Sequence, residues 1–160
     1  MAVDIFLKLG NIKGEAADAN HKDSIDVLAW SWGMSQSGTT HMGGGGGSGK
    51  VSVQDISFSK YIDASSHALI QACCNGEHFD KALLTVRKAG KNPLEYIKIT
   101  MEEVIISSVT TGGSGSEDRL TENVTLNFGK FKYEYTTQAP TGGQGTTMTA
   151  NWDIAKNQGK

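Results

Sequence analysis

The chain has 160 residues, 38% of them hydrophobic and 20 of them glycine, which suits one packed domain and leaves little room for two. Fifteen Lys and Arg against 17 Asp and Glu give a formal net charge of -2, so there is no broad positive field to gather nucleic acid. No stretch approaches the ~18–20 apolar residues of a membrane-spanning helix, and the neighbours Cys73 and Cys74 cannot staple a disulfide scaffold.

Residues Met1 to Gly10 lack a basic leader followed by a long apolar run. They therefore read as no secretory signal. The expectation is a chain made in the cytoplasm, exported, if at all, by a route that ignores N-terminal signals. Within that segment Val3, Ile5, Leu7 and Leu9 alternate with Asp4 and Lys8, the period of a half-buried strand. Residues Ile25 to Gln36 predict a second strand. Leu28, Trp30, Trp32 and Met34 lie on one face there, and Ala29, Ser31, Gly33 and Ser35 on the other. A third strand is expected over Val51 to Tyr61, with Lys60 and the flanking Asp63 keeping it soluble.

Ser66 to Phe79 breaks the pattern. Leu69, Ile70 and Cys73 recur at helical spacing, Ser65 or Ser66 can cap the start and Gly76 the end, so one helix of about three turns is expected. Two reduced thiols fit there, at least one packed inward. Beyond it Ala82, Leu84 and Val86 alternate with Lys81, Thr85 and Arg87. After a turn at Gly90 to Pro93, Ile97, Ile99 and Met101 continue the pattern. The apolar phase slips at Glu102–Glu103, before Val104 and Ile106. It slips again at Gly129, between Val124, Leu126, Phe128 and Phe131, Tyr133, Tyr135. One-residue slips signal bulges or bends, and long bent strands predict a curved sheet closing into a barrel. A turn-rich stretch from Ala139 to Gly145 then leads to a short strand around Trp152 and Ile154. The loops at Gly38–Gly49 and Thr110–Ser116 are too glycine-rich to bury a core.

Motifs with chemical promise fail on context. Gly44, Gly49 and Lys50 match a phosphate loop as far as the lysine, but Val51 stands where Ser or Thr must hold magnesium, and a strand pattern follows instead of a helix. His21, His41, His67 and His78 show no metal-ligand spacing, and neither cysteine belongs to a Cys-x-x-Cys pair. The acids Glu102–Glu103 and Glu117–Asp118 are adjacent and on a strand point apart. Gly113-Ser114-Gly115 lacks the strand–turn–helix context of a nucleophile elbow. Asn123-Val124-Thr125 fits a glycosylation acceptor but lies inside a predicted strand. The expectation is a protein that is not an enzyme and holds no cofactor and no metal.

Taken together, DVLAWSWGMSQSG (Asp26 to Gly38), HMGGGGGSGK (His41 to Lys50), VSVQDISFSKYID (Val51 to Asp63) and SSVTTGGSGSEDRLTENVTLNF (Ser107 to Phe128) resemble the Hcp proteins, the haemolysin-coregulated proteins of bacterial type VI secretion systems. The resemblance runs in order through most of the chain. It implies a single tube domain over 1–160: a mostly β fold, a β-barrel of curved antiparallel sheets flanked by one α-helix, similar to phage tail tubes. It also implies a homohexameric ring with a central channel, and rings stacked into a tube. The implied partners are a contractile sheath, a trimeric spike at the tip and effector proteins in the channel, with no nucleic acid and no membrane insertion. Some relatives carry a C-terminal toxin domain, and none is expected after Trp152.

Within that frame Ser31 and Ser35 are candidates to face the channel, the alternative being a face merely exposed to solvent. Trp30, Trp32, Val124, Leu126 and Phe128 are candidates for the barrel core. Thr40, His41, Met42, Gly43, Gly44, Gly45, Gly46 and Gly47 are candidates for a ring-stacking loop, ordered on contact at an entropic cost. A ring that chaperones effectors, a phage-type tail tube protein and a nucleotide binder resting on Gly44 to Lys50 are the competing readings.

Overall fold

The computed structural model describes residues 3–37, 50–90 and 93–159. In chain order it contains β1 (Val3–Leu9), β2 (Ile25–Asp26), β3 (Ala29–Ser31), β4 (Met34–Ser35), β5 (Ser52–Val53), β6 (Ile56–Tyr61), α1 (Ser66–Asn75), β7 (His78–Lys88), β8 (Glu95–Thr111), β9 (Thr121–Gln138) and β10 (Gln144–Asp153). One antiparallel sheet runs β2-β1-β7-β8-β9-β6-β3, with β10 also on β9, and β4 pairs with β5 separately. The second predicted strand is thus three short pieces. The first piece pairs with β1 and the next with β6, and Val27 N–H donates to Ile5 O while Leu28 N–H donates to Ser59 O. A single segment therefore closes the two ends of the curled sheet into a barrel. It cannot stay straight while changing partners, which is why its alternation misleads: Leu28 and Met34 are exposed. The third predicted strand is likewise divided, at Gln54–Asp55.

The two slips in apolar phase are one structural feature. Between β8 and β9 the ladder passes from Glu102↔Lys130 to Val104↔Phe128, and between β7 and β8 from Lys81↔Glu102 to Phe79↔Val104. Asp80, Glu103 and Gly129 drop out in line across three strands, one from each, so the register is unchanged. Glu103 has a φ of 58°, a left-handed conformation that reverses the pleat. Its carboxylate lies over Gly129, where a Cβ would come within 2.3 Å of Oε2. Each strand changes its buried face at this crease, at Phe79 and Ala82, Met101 and Val104, Phe128 and Phe131. The crease separates a β1 side, including the start of β8, the end of β9 and β10, from a β6 side, including β3, the end of β8 and the start of β9. Glu102 and Glu103 lie inside the sheet and protect no edge.

Helix α1 packs against β8 through Leu69 and Ala72, with Cys73 half-buried and Cys74 exposed. Ile70, expected inside, points to solvent, because Ser66, Leu69 and Ala72 form the inward stripe at spacings of three. The helix ends at Gly76 with φ 70°, and Phe79 belongs to β7. Ser65 is the N-cap residue, but its hydroxyl donates to Asp63 and caps no helix N–H.

Lys60 is not a solubilising residue. It is fully buried on the core face of β6, directly opposite Glu122 of β9, which is also buried. Its ammonium pairs with the carboxylates of Glu122 and, at 3.0 Å, Asp63, and donates to Ser66 Oγ at 3.2 Å. Ser66 in turn donates to Glu122 at 2.6 Å. The cluster fastens the start of α1 to two strands.

Residues 11–24 form a strap over the outer face of β1 and β7. Arg87 donates to both carboxylate oxygens of Asp18, at 3.1 and 2.6 Å, and to Asp4 at 2.9 Å. His21 stacks on Phe6 at 4.3 Å, and its Nε2 lies 2.6 Å from a Glu95 oxygen. Thr85 and Arg87 are therefore buried although they face away from the core. The hydrogen bonds from Arg87, and then from the Asn20 backbone N–H, hold Asp18 down at about 2, against an ordinary 3.8. A lowered folded value means that this contact stabilises the strap above about pH 4 and is lost as pH falls through 2. Acidification from pH 4 to 2 is expected to lower the protection of the Ala16 and Asp23 amides, which bond within the strap, relative to their intrinsic hydrogen-exchange rates. Asp18→Asn is expected to show low protection already at pH 4. Equal protection in both proteins throughout would refute the pinning.

Candidate functional site

On the β6 side, side chains alternate between core and solvent except at one bulge in β8. Inward lie Trp30 of β3, Ile56 and Phe58 of β6, Val124, Leu126 and Phe128 of β9, and Val104 and Ile106 of β8. All are buried except Trp30, which packs half-buried against them. Trp32, just after β3, sets its ring edge-on to Phe131 at 4.8 Å and donates from Nε1 to Gln54 O at 3.0 Å.

Outward, the centre of the same four strands carries small, mostly polar groups, with Tyr61 and Ile105 at its two ends. Ser31 lies opposite Ser57, Ser57 opposite Thr125, and Thr125 opposite Ser108. In the next row Ala29 faces Ser59, Ser59 faces Asn123, and Asn123 faces Thr110. Among the described residues the charges at this face are Asp55 and, at its margin, Arg119, whose guanidinium lies 3.7 Å from the centre of the Tyr61 ring. The ordinary pattern appears across the crease, where Lys81, Glu102, Lys130 and Asp153 alternate in sign along one row of β7 to β10. A solvated face usually carries such charges, so their scarcity on four adjacent strands needs an explanation in function.

Part of the face is braced. The β8–β9 register shifts between Ile106 and Ser108, a bulge that sets Ser107 and Ser108 together against Thr125. Both hydroxyls reach Thr125 Oγ1, at 2.6 and 2.7 Å. Ser107 also donates to Asp55 at 2.6 Å, and Asn127 donates to its other oxygen at 2.8 Å. The charge of Asp55 is thus spent on holding the bulge. Ser31, Ser57, Ser59, Asn123 and Thr110 carry no side-chain hydrogen bond among the described residues. They offer uncharged donors and acceptors that exchange readily with water, suited to weak contact with a passing polypeptide.

Ser31 falls on this face, at its outer strand, and is exposed. Ser35 does not: it pairs with Ser52 in the β4–β5 ribbon, so the two serine candidates belong to different sheets. Thr40 to Gly47 lie outside the described residues. Sequence reasoning did not assign Ser57, Ser59, Asn123, Thr125 and Ser107 to such a face, although Ser57 and Ser59 alternate with Ile56, Phe58 and Lys60 and the signal was readable. Elsewhere, an open cleft of about 930 Å³ lies between β7 and the start of α1, where Lys8, Lys13 and Lys81 are offset by Glu77 and Asp80. Among the described residues no three His, Cys, Asp or Glu gather to hold a metal, and no helix is long and apolar enough to cross a membrane.

Comparison with known proteins bears on what such a face serves. A family model described as "Type VI secretion system effector, Hcp" matches residues 6–135. Protein hcp1 of Pseudomonas aeruginosa is 58% identical over 159 residues, covering 98% of both chains. The crystal structure of Hcp1 from Salmonella typhimurium matches with a TM-score of 0.82 at 37% identity, over the whole of both chains. A structure titled as a type six secretion system protein superposes at a TM-score of 0.93 and 26% identity, over 99% of this chain and all of the other.

Proposed function

Because the chain belongs to the Hcp family of type VI secretion proteins, we propose that six copies form a ring whose channel is lined by the face of β3, β6, β9 and β8. The rings stack into a tube inside a contractile sheath, carry a trimeric spike at the tip, hold effectors in the channel and leave the cell with them. The observation that carries this reading is the small, polar centre of the lining, where the one carboxylate, Asp55, is held by Ser107 and Asn127. A conduit that must hold cargo and then release it works best with weak contacts that exchange with water.

The dimensions agree with that role. Four strands from each of six copies, at the ~4.8 Å spacing between neighbouring strands, give a channel roughly 35–40 Å across. A folded domain of about 100 residues has a radius of gyration near 13 Å and fits such a width. Native mass spectrometry tests the assembly. The expected species is six times the 17.1 kDa subunit mass. A monomer at all accessible concentrations would defeat the proposal.

A further inference from the structure

Two elements of this chain are structurally incomplete. The first is β10, which pairs with β9 alone. Ile154 N–H donates to Gly129 O at 2.9 Å, in line with the β9–β10 register. Residues 148, 150, 152 and 154 therefore direct their backbone groups to β9, and the alternate ones point outward. Asp153 satisfies its outward groups on Gln158, at 2.9 and 3.2 Å. Thr147 and Thr149 have no such partner among the described residues.

Every residue from Gln144 to Ala150 is exposed, and neither a charge nor a proline occurs between Gln144 and Trp152. Edges that remain in water are usually protected by such residues. Met148, 53% exposed, lies opposite the exposed Tyr135 and adds an apolar strip beside the free edge.

The second element is the β4–β5 ribbon. It consists of Met34–Ser35 on Ser52–Val53 and is joined to the barrel through Gln54 N–H to Gly33 O at 2.9 Å and the Trp32 bond to Gln54. A two-stranded ribbon standing alone is marginal in water. Its residues 32–37 and 51–54 carry no charge, the exposed Lys50 standing just beyond them, and Met34 is 46% exposed. The chain thus presents an open uncharged edge with an exposed methionine, and an uncharged ribbon with another.

We propose that the β4–β5 ribbon of one copy adds to the free edge of β10 in the next copy. The occupant is a second copy of this chain because each element supplies what the other lacks: strand hydrogen-bonding groups and an apolar side chain, with no charge on Met34, Ser35, Ser52 and Val53 to desolvate. The two surfaces differ, so the contact is head-to-tail, the kind that closes into a ring when repeated by rotation. The inference rests on the ring proposed above, and it commits that ring to one side-by-side contact.

The test pairs native mass spectrometry with hydrogen exchange. In parent rings the amides of Thr147 and Thr149 are expected to exchange at least tenfold more slowly than in dissociated subunits. Thr149→Pro removes only an outward N–H and keeps the β9 pairing. It is expected to weaken ring assembly at least tenfold with an unchanged circular dichroism spectrum. Rings whose Thr147 and Thr149 amides exchange as in free subunits would overturn the contact while leaving the ring standing, as would a Thr149→Pro variant that assembles like the parent. A parent that never assembles would overturn both. Should the proline variant misfold, the exchange measurement on the parent decides alone.

Discussion

Lys60→Ala is expected to lower the free energy of unfolding by about 3–5 kcal/mol, the usual cost of removing one partner from a buried ion pair. Nothing else near the ammonium replaces it. Glu122 is 1% exposed and already has one carboxylate oxygen without a hydrogen bond among the described residues. Without Lys60, that carboxylate and Asp63 are left facing each other with only Ser66 and Ser65 as donors. The loss should appear in urea as a fall in the midpoint with an unchanged slope, at matched subunit concentration, since assembly also stabilises. Lys60→Met with Glu122→Leu and Asp63→Asn removes all three charges together and is expected to return stability to within about 1 kcal/mol of the parent, or above it. A loss below about 1 kcal/mol for Lys60→Ala would show that the cluster does not fasten α1 to β6 and β9.

Ser57→Arg is expected to leave ring formation intact and to reduce retention of a co-expressed effector at least tenfold. Ser57 is central on the small, polar face, between Ser31 and Thr125, and its side chain points away from the core. In a six-membered ring with a channel roughly 35–40 Å wide, six added guanidinium groups would lie farther apart than the ~8 Å screening length at physiological salt. Their mutual repulsion therefore does not oppose assembly. What changes is the lining: long charged side chains narrow the channel and replace weak exchangeable contacts. Ser31→Arg, one strand outward on the same row, is expected to behave alike, and Ser57→Thr to retain cargo. Pull-down of the effector on purified rings reads the result. Loss of the rings themselves in either arginine variant would contradict the channel assignment.

Much of the fold was legible in the sequence because period two and period 3.6 survive wherever a strand or helix keeps one partner. The slips at Glu102–Glu103 and Gly129 correctly marked bends. That they face each other across one crease depends on pairing, which periodicity does not contain. Residues 25–36 failed as one strand because they pair first with β1, then β6, then β5. Lys60 was misread for a related reason. Its position in the alternation of Ile56 and Phe58 placed it inward, but charge argued for solvent, and the carboxylate that settles the matter is 62 residues away.

The candidate site was half legible. Ser31 lies on the small, polar face, but a single strand did not reveal that Ser57, Ser59, Asn123 and Thr110 extend it over three more. Ser35 shares the alternation of Ser31 yet belongs to the ribbon, since the chain turns away after Trp32. The Ser107–Ser108 bulge left a trace in the odd spacing of Ile106 and Val109. Polar residues on both sides concealed it.

Electron cryomicroscopy of the assembled protein tests the central claim most directly. The prediction is a six-membered ring in which Ser31, Ser57, Ser59 and Asn123 of every copy face the axis, with the row Lys81, Glu102, Lys130 and Asp153 turned away from it. A ring with the charged row inside and the serines outside would contradict the account.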